Sequence, residues 1–236
     1  MEHASYIERR AKIETYFDRT AAKAWETLTS NAPVGRIRRT VREGRNLMRD
    51  NLLSWLPEDM RGLRLLDAGC GTGALAMQAA QRGAEVVAID LSPTLVQLAK
   101  DRLVHEFSNT QGGSISFMSG DMLSPDLGEF DHVVAMDSLI HYDTHDIAEA
   151  LSRLALRTRG SMIFTFAPHT PLLAVMHSVG RLFPKSDRSP ALEPVKQTDL
   201  QMALQSQANM QGWQAHRSAR ISRGFYTSHA WEWQRT

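Results

Sequence analysis

The spacing of apolar residues changes period several times along the chain, and the changes mark its elements. Tyr6, Ile7, Ile13, Tyr16, Phe17 and Trp25 are the large apolar groups of a stretch that reads as helix over residues 5–30, interrupted by Pro33. Val34, Ile37, Val41, Met48, Leu52 and Trp55 recur at helical spacing and predict a second helix over about 34–55. Short β-branched runs then alternate with helical stretches. Strands are expected at Arg64–Asp67, Glu85–Asp90, Ile115–Met118, Phe130–Met136 and Gly160–Phe166. Helices fall between them, at Ala74–Ala80, from Ser92-Pro93 onward, and at 145–157. Ser92 suits an N-cap and Pro93 the first helical position. Strand–helix alternation of this kind implies a parallel sheet.

The alternation stops at residues 168–196, where Pro168, Pro171, Pro184, Pro190 and Pro194 punctuate a greasy helix and a basic tail. A helix over Gln197–Gln211 and a hairpin near 215–224 and 227–234 are expected to finish the chain. Trp231 and Trp233 flank Glu232, so a strand there puts both indoles on one face, in core packing.

Composition narrows the class. At 236 residues and 42% hydrophobic, the chain can bury a full core and reads as one folding unit. A formal charge of +1 gives no global sign of nucleic-acid binding. A single cysteine, Cys70, forbids an internal disulfide and fits a reducing, cytoplasmic setting. The polar N-terminus is no secretory signal, and no run reaches membrane-spanning length. Arg36, Arg39, Arg42, Arg45 and Arg49 recur on one face of the second helix. They read as a solvated face or as a docking stripe for an acidic partner.

The chemistry centres on Asp67-Ala68-Gly69-Cys70-Gly71-Thr72-Gly73, a strand end followed by alternating glycines and a helix. Gly69, Gly71 and Ala74 also satisfy the loose dinucleotide pattern. Asp67 tilts the balance, because a carboxylate at the loop mouth repels a pyrophosphate and welcomes an amino group. Asp90 closes the second strand 17 residues beyond Gly73, where an acid can take two vicinal ribose hydroxyls. Asp121 and Met122 follow the third strand and suit an adenine amino group and ring. Asp137-Ser138-Leu139-Ile140-His141-Tyr142 leaves the fourth strand toward the crevice where doubly wound folds bind ligands. His141 is read there as structural or as functional, at even weight.

The glycine loop resembles that of class I S-adenosylmethionine-dependent methyltransferases. With Tyr16-Phe17, Trp25-Glu26, Arg42-Glu43-Gly44 and the Leu-Ile-His-Tyr stretch, nearly the whole chain resembles the magnesium-protoporphyrin IX O-methyltransferases of bacteriochlorophyll and chlorophyll synthesis. The resemblance implies a Rossmann-like α/β fold: a mostly parallel seven-stranded sheet with an antiparallel last strand, N-terminal helices and a helical lid before the last two strands. It divides the chain into a cap (1–62), a cofactor-binding core (63–167), a lid (168–196) and a completing unit (197–236). Members often carry Ile-Tyr-Gly where this chain has Thr27-Leu28-Thr29-Ser30, so no tyrosine hydroxyl role transfers to that place.

What the resemblance implies in chemistry is methyl transfer to a porphyrin propionate. A propionate with a pKa near that of Glu, about 4.3, is ionised at neutrality and needs no base. It needs alignment and exclusion of water. The expected cofactor set is Arg42, Asp67, Gly69, Cys70, Gly71, Asp90, Leu91, Asp121, Met122 and Asp137. His141 and Tyr142 would aim and wall the acceptor, with Tyr16, Trp25, Arg181, Lys185 and Arg188 as further substrate contacts. Magnesium belongs to the substrate, since no side-chain cluster has metal-site spacing; His141, His169 or His177 could supply an axial bond to it. The magnesium chelatase porphyrin-binding subunit and a peripheral membrane contact are the expected partners. Methyl transfer to a quinone or phenol, a non-catalytic porphyrin carrier, and a nicotinamide oxidoreductase are the competing readings.

Overall fold

The computed structural model describes residues 4–16, 18, 35–106, 112–169 and 192–236. Two N-terminal helices, α1 (Ala4–Tyr16) and α2 (Arg36–Ser54), precede the sheet. The alternating part runs β1 (Arg64–Ala68), α3 (Ala74–Gln81), β2 (Glu85–Asp90), α4 (Pro93–Glu106), β3 (Ser114–Ser119), β4 (Phe130–Ala135), α5 (Thr144–Ala155) and β5 (Thr158–Phe166). Helix α6 (Gln197–Gln205) and the hairpin β6 (Trp213–Arg223) and β7 (Tyr226–Arg235) complete the described residues. The seven strands lie in the order β3-β2-β1-β4-β5-β7-β6. All pairs are parallel except the two made by β7.

Both faces of the sheet are covered, which is why its strands are apolar on consecutive residues. Leu66, Val133, Phe164 and Trp231 pack toward α5 and α6. Leu65, Val134 and Ile163 pack toward α2 and α3. Trp231 and Trp233 share the first side, their rings 5.3 Å apart and edge-on. Ser92 caps α4, its hydroxyl accepting the Leu95 N–H at 3.2 Å. Helix α6 is shorter than the sequence suggests. It ends at Gln205, and the expected remainder becomes a separate 3-10 turn at Ala208–Met210 before Gly212 turns the chain with φ 80°. The ends of the 168–196 stretch meet, with Pro168 bridged to Val195. Its interior, including Arg181, Lys185 and Arg188, lies outside the described residues, as does Trp25.

Strand order reverses between β1 and β4, the place where open α/β sheets leave a crevice at the carboxyl ends. Close approach makes the crevice walls. Gly69 has φ 85°, and a Cβ there would stand 2.3 Å from Ser138 Cβ. No larger residue fits between the two loops.

The antiparallel end of the sheet is secured by a buried charge. Glu232 is wholly buried and accepts from Arg217 Nε at 2.6 Å and from His216 Nδ1 at 2.9 Å. Arg217 also donates to the Trp55 carbonyl at 2.7 Å and lies over its ring, so it ties β6 to the end of α2. Burial alone would raise the Glu232 pKa, but hydrogen bonds from Arg217, His216 and Gln234 bring it net below the usual value. A depressed folded-state pKa means this stabilisation is present above the unfolded value, about 4.3. It is lost as pH falls through the lower, folded one. Arg217→Met is expected to cost about 3 kcal/mol, because it leaves a buried carboxylate short of its main partner. Glu232→Gln should cost less and should flatten the acid limb of stability. Thermal unfolding of both variants from pH 3 to pH 7 checks the pair.

Candidate active site

A cleft partly open to solvent occupies the crevice; with the open space at its mouth it spans about 720 Å³. Its floor is Gly69 and Gly71 from the loop after β1 and Asp90 and Leu91 from the end of β2. Gly120, Asp121 and Met122 come from the end of β3, and Met136 to Ser138 with His141 and Tyr142 from the end of β4. Helix α1 adds Ile13, α2 adds Arg45 and α4 adds Leu95.

Asp90 is placed by the strand end and held by two backbone donors. Gly71 N–H reaches one oxygen at 2.8 Å and Ser92 N–H the other at 2.9 Å. Each carboxylate oxygen keeps a further lone pair, enough for two neighbouring hydroxyls. Burial raises its pKa against the pull of these N–H groups. Asp121 accepts the Leu123 N–H at 2.9 Å and an ion pair from Arg10 of α1. Arg9 beside it donates to the His141 carbonyl at 2.8 Å and pairs with Glu193 at 3.1 Å. These contacts fasten α1 across the mouth of the cleft, where Ile13 is 6% exposed.

Four of the sequence-based assignments lie off the cleft wall. Asp67 sits beneath the glycine loop, 2% exposed, and one of its oxygens has no hydrogen-bond partner. Burial and the nearby Asp90 push its carboxyl up to about 7, against an opposing N–H from Ala76. Cys70 packs below the loop too, its N–H donated to Ile89 at 3.0 Å and its carbonyl accepting from Gly73 at 2.9 Å. Burial holds its thiol protonated. Arg42 is replaced at the cleft by Arg45, one turn further along α2. The repeat of arginines shows a face, and only the packing of α2 decides which of them points inward. Tyr16 ends α1 half-buried, a turn beyond Ile13 and away from the cleft lining.

Asp137 does line the cleft, but both its oxygens are already engaged by protein donors. Tyr142 is 3% exposed, and burial raises its phenol, so it stays protonated. His141 is 6% exposed at the same wall. Ser138 was not singled out by the sequence. Its hydroxyl is buried without a protein partner and lies against Gly69, between the glycine loop and His141. Among the described residues, no group of His, Cys, Asp and Glu could hold a metal ion. Among them, too, no helix is long and apolar enough to cross a membrane.

The walls therefore offer one carboxylate for a diol, an apolar slot beside an acid, a bare glycine bend and a neighbouring histidine. A family model described as magnesium-protoporphyrin IX methyltransferase C-terminus matches residues 135–235, and a general methyltransferase domain matches 65–159. A magnesium-protoporphyrin O-methyltransferase of Rhodobacter capsulatus is 46% identical over 98% of this chain and 99% of its own length. The corresponding Synechocystis protein is 29% identical over 94% of both chains. A crystal structure of magnesium protoporphyrin IX methyltransferase from Synechocystis PCC 6803 with bound SAH superposes with a TM-score of 0.81 at 29% identity, over 96% of this chain and 100% of that one. A likeness that runs from end to end, and includes the stretch that carries His141, places the chain in the magnesium-protoporphyrin O-methyltransferase family.

Proposed function

We infer that the chain transfers a methyl group from S-adenosylmethionine to a propionate carboxylate of magnesium-protoporphyrin IX, giving the monomethyl ester on the route to (bacterio)chlorophyll. The observation that carries this is the end-to-end likeness to the Rhodobacter capsulatus enzyme, with a cleft at the β1/β4 reversal. S-adenosylmethionine supplies an electrophilic methyl group when bound. The cleft fits it: Asp90 has lone pairs for a ribose diol, and Leu91, Leu95 and Met122 make an apolar slot.

Each side chain then has a task. Asp90 takes the ribose hydroxyls. Asp121 and Met122 face the adenine edge and ring, with Arg10 sharing the Asp121 carboxylate. Gly69 and Gly71 let the backbone come close to the amino-acid end, and Arg45 supplies positive charge near its carboxylate. Asp67 acts from below the loop as a buried counter-charge. His141 donates a hydrogen bond that aims the acceptor oxygen, Ser138 offers a second, and Tyr142 excludes water beside them. None of them has to remove a proton, because the acceptor is ionised. Magnesium enters and leaves as part of the substrate. The chain's contribution is alignment in a dry site, an effect worth up to roughly 7–11 kcal/mol in ideal cases.

The same reading has the chain receive its porphyrin from the carrying subunit of magnesium chelatase and rest peripherally on a membrane. Arg36, Arg38 and Arg39 stand exposed at the start of α2 and are suited to an acidic partner. Replacing all three by Glu is expected to weaken both capture of that subunit and sedimentation with anionic vesicles. Unchanged binding in both assays removes this helix from the role.

Labelled S-adenosylmethionine incubated with magnesium-protoporphyrin should yield a product heavier by one methylene, and a hydroxylated quinone should yield none. Asp90→Ala is expected to weaken donor binding on the order of a hundredfold, since two charge-assisted hydrogen bonds are lost. Undiminished affinity in calorimetry would sink the assignment of the cleft.

The pH dependence separates aiming from proton abstraction. A cationic donor favours ionised carboxylates, and Asp67 near 7 is part-protonated in the free protein. Donor affinity should therefore rise with pH through about 7, with proton release on binding. At saturating substrates kcat should stay flat from pH 6 to 8. A kcat that drops on the acid side near the usual histidine pKa, about 6.5, would make His141 a base instead.

A further inference from the structure

The loop that carries Ser138 and His141 starts from a residue in an unusual conformation. Asp137 has φ 54°, the left-handed region, and among the described residues it is the one non-glycine residue with positive φ. Its side chain is 4% exposed and is met by four others. Arg45 Nη1 donates to Oδ2 at 2.8 Å. The Tyr226 hydroxyl lies 3.1 Å from both oxygens. Ser228 Oγ donates to Oδ1 at 3.1 Å and Thr165 Oγ1 at 3.2 Å. Thr165 Oγ1 also accepts the Asp137 N–H at 2.7 Å, so backbone and side chain are clamped together.

We propose that Tyr226, on the C-terminal hairpin and outside the cleft, is a positioning residue for methyl transfer: with Ser228, Thr165 and Arg45 it holds Asp137 left-handed and so sets where Ser138 and His141 stand. The proposal rests on the methyl-transfer reading above. A left-handed aspartate persists only where its surroundings over-determine it. Here the surroundings come from three elements: α2, β5, and the start of β7 at two positions. The downstream geometry is tight, because Ser138 has to lie against Gly69 with no room for a Cβ. A small change of backbone at 137 therefore moves the whole wall on the acceptor side. Asp90 and Asp121 come from other loops and do not touch it.

The Tyr226 ring is itself seated by a missing side chain. A Cβ on Gly44 would lie 2.5 Å from Tyr226 Cδ1, so the ring packs directly on the α2 backbone. Tyr226→Phe keeps that packing and deletes one oxygen. Burial, and then Asp137 beside it, raise the phenol pKa, so the hydroxyl is a proton donor at any working pH.

Tyr226→Phe is expected to lower kcat on the order of tenfold to a hundredfold, the scale of a displaced reacting group, at nearly unchanged melting temperature. Donor affinity should shift by less than about threefold, because the lost interaction acts in the reacting geometry. Combined with Asp137→Asn, its effect should be far less than multiplicative, as for two members of one unit. A crystal structure of Tyr226→Phe should show residue 137 outside the left-handed region. Ser228→Ala, read in the same way, serves if Tyr226→Phe does not fold. Wild-type kcat, a loss matched by the unfolded fraction, multiplicative effects in the double variant, or an unmoved 137–141 backbone would each overturn the role. A wild-type chain that methylates nothing sinks the functional reading alone, and the backbone comparison still decides the positioning.

Discussion

The contact between Gly69 and Ser138 is the constraint on which the site depends. Two loops leave neighbouring parallel strands whose crossovers run in opposite directions, and they meet without a side chain between them. A residue with a Cβ at 69 would meet Ser138 at 2.3 Å and would also be strained at φ 85°. Either loop would have to retreat, and the cleft would lose its floor or its wall. The glycine is therefore a packing requirement as much as a ligand requirement. The same contact explains why the acceptor-side loop needs fixing from behind. A wall pressed against bare backbone has little tolerance, and the clamp on Asp137 supplies the rigidity from the opposite end of the sheet.

Four buried acids show how one chain treats the same functional group differently. Glu232 is compensated by Arg217 and His216 and stays ionised, so it stabilises the hairpin without chemistry. Asp137 is saturated by donors and sets geometry. Asp90 is held by two backbone N–H groups and keeps capacity for a ligand. Asp67 has one oxygen unpartnered, and burial has moved its carboxyl up to about 7. An unsatisfied buried carboxyl costs folding stability, by about 1–3 kcal/mol or more. Its folded pKa lies above the unfolded one, so the folded chain binds more protons and loses stability as pH rises toward 7. The uncompensated acid lies directly beneath the glycine loop that floors the cleft.

The strands and their order of use were legible because their signals are local. β-Branched runs, a Ser-Pro helix start and alternating glycines each name a conformation within a few residues. Asp90, Asp121 and His141 follow from the same logic, since a strand end identifies its next residues with the crevice. Contacts set by tertiary packing were not legible. Arg45 and Arg42 are equivalent in the sequence pattern, and 60° of helix rotation and one turn of rise separate them. Arg10 and Asp121, or Arg9 and Glu193, lie more than a hundred residues apart and share no motif. The burial of Glu232 was not legible, because nothing local says that β6 bulges to bring two cations over it.

The division of labour in the fold follows from what the reaction lacks. An ionised acceptor needs no base and no metal ligand from the protein, so selection falls on distance and dryness. Strand ends fix distance, since hydrogen-bonded neighbours on both sides hold them. Dryness needs a cover, and α1, held by part-exposed ion pairs, lies across the cleft mouth. Each Arg9 and Arg10 pair is part-exposed and worth at most about 1 kcal/mol. Together they seat α1 across the mouth, with Ile13 buried against the cleft. The less exposed pairs lie deeper, Glu232 with Arg217 at the sheet end and Asp137 with Arg45 behind the acceptor-side loop.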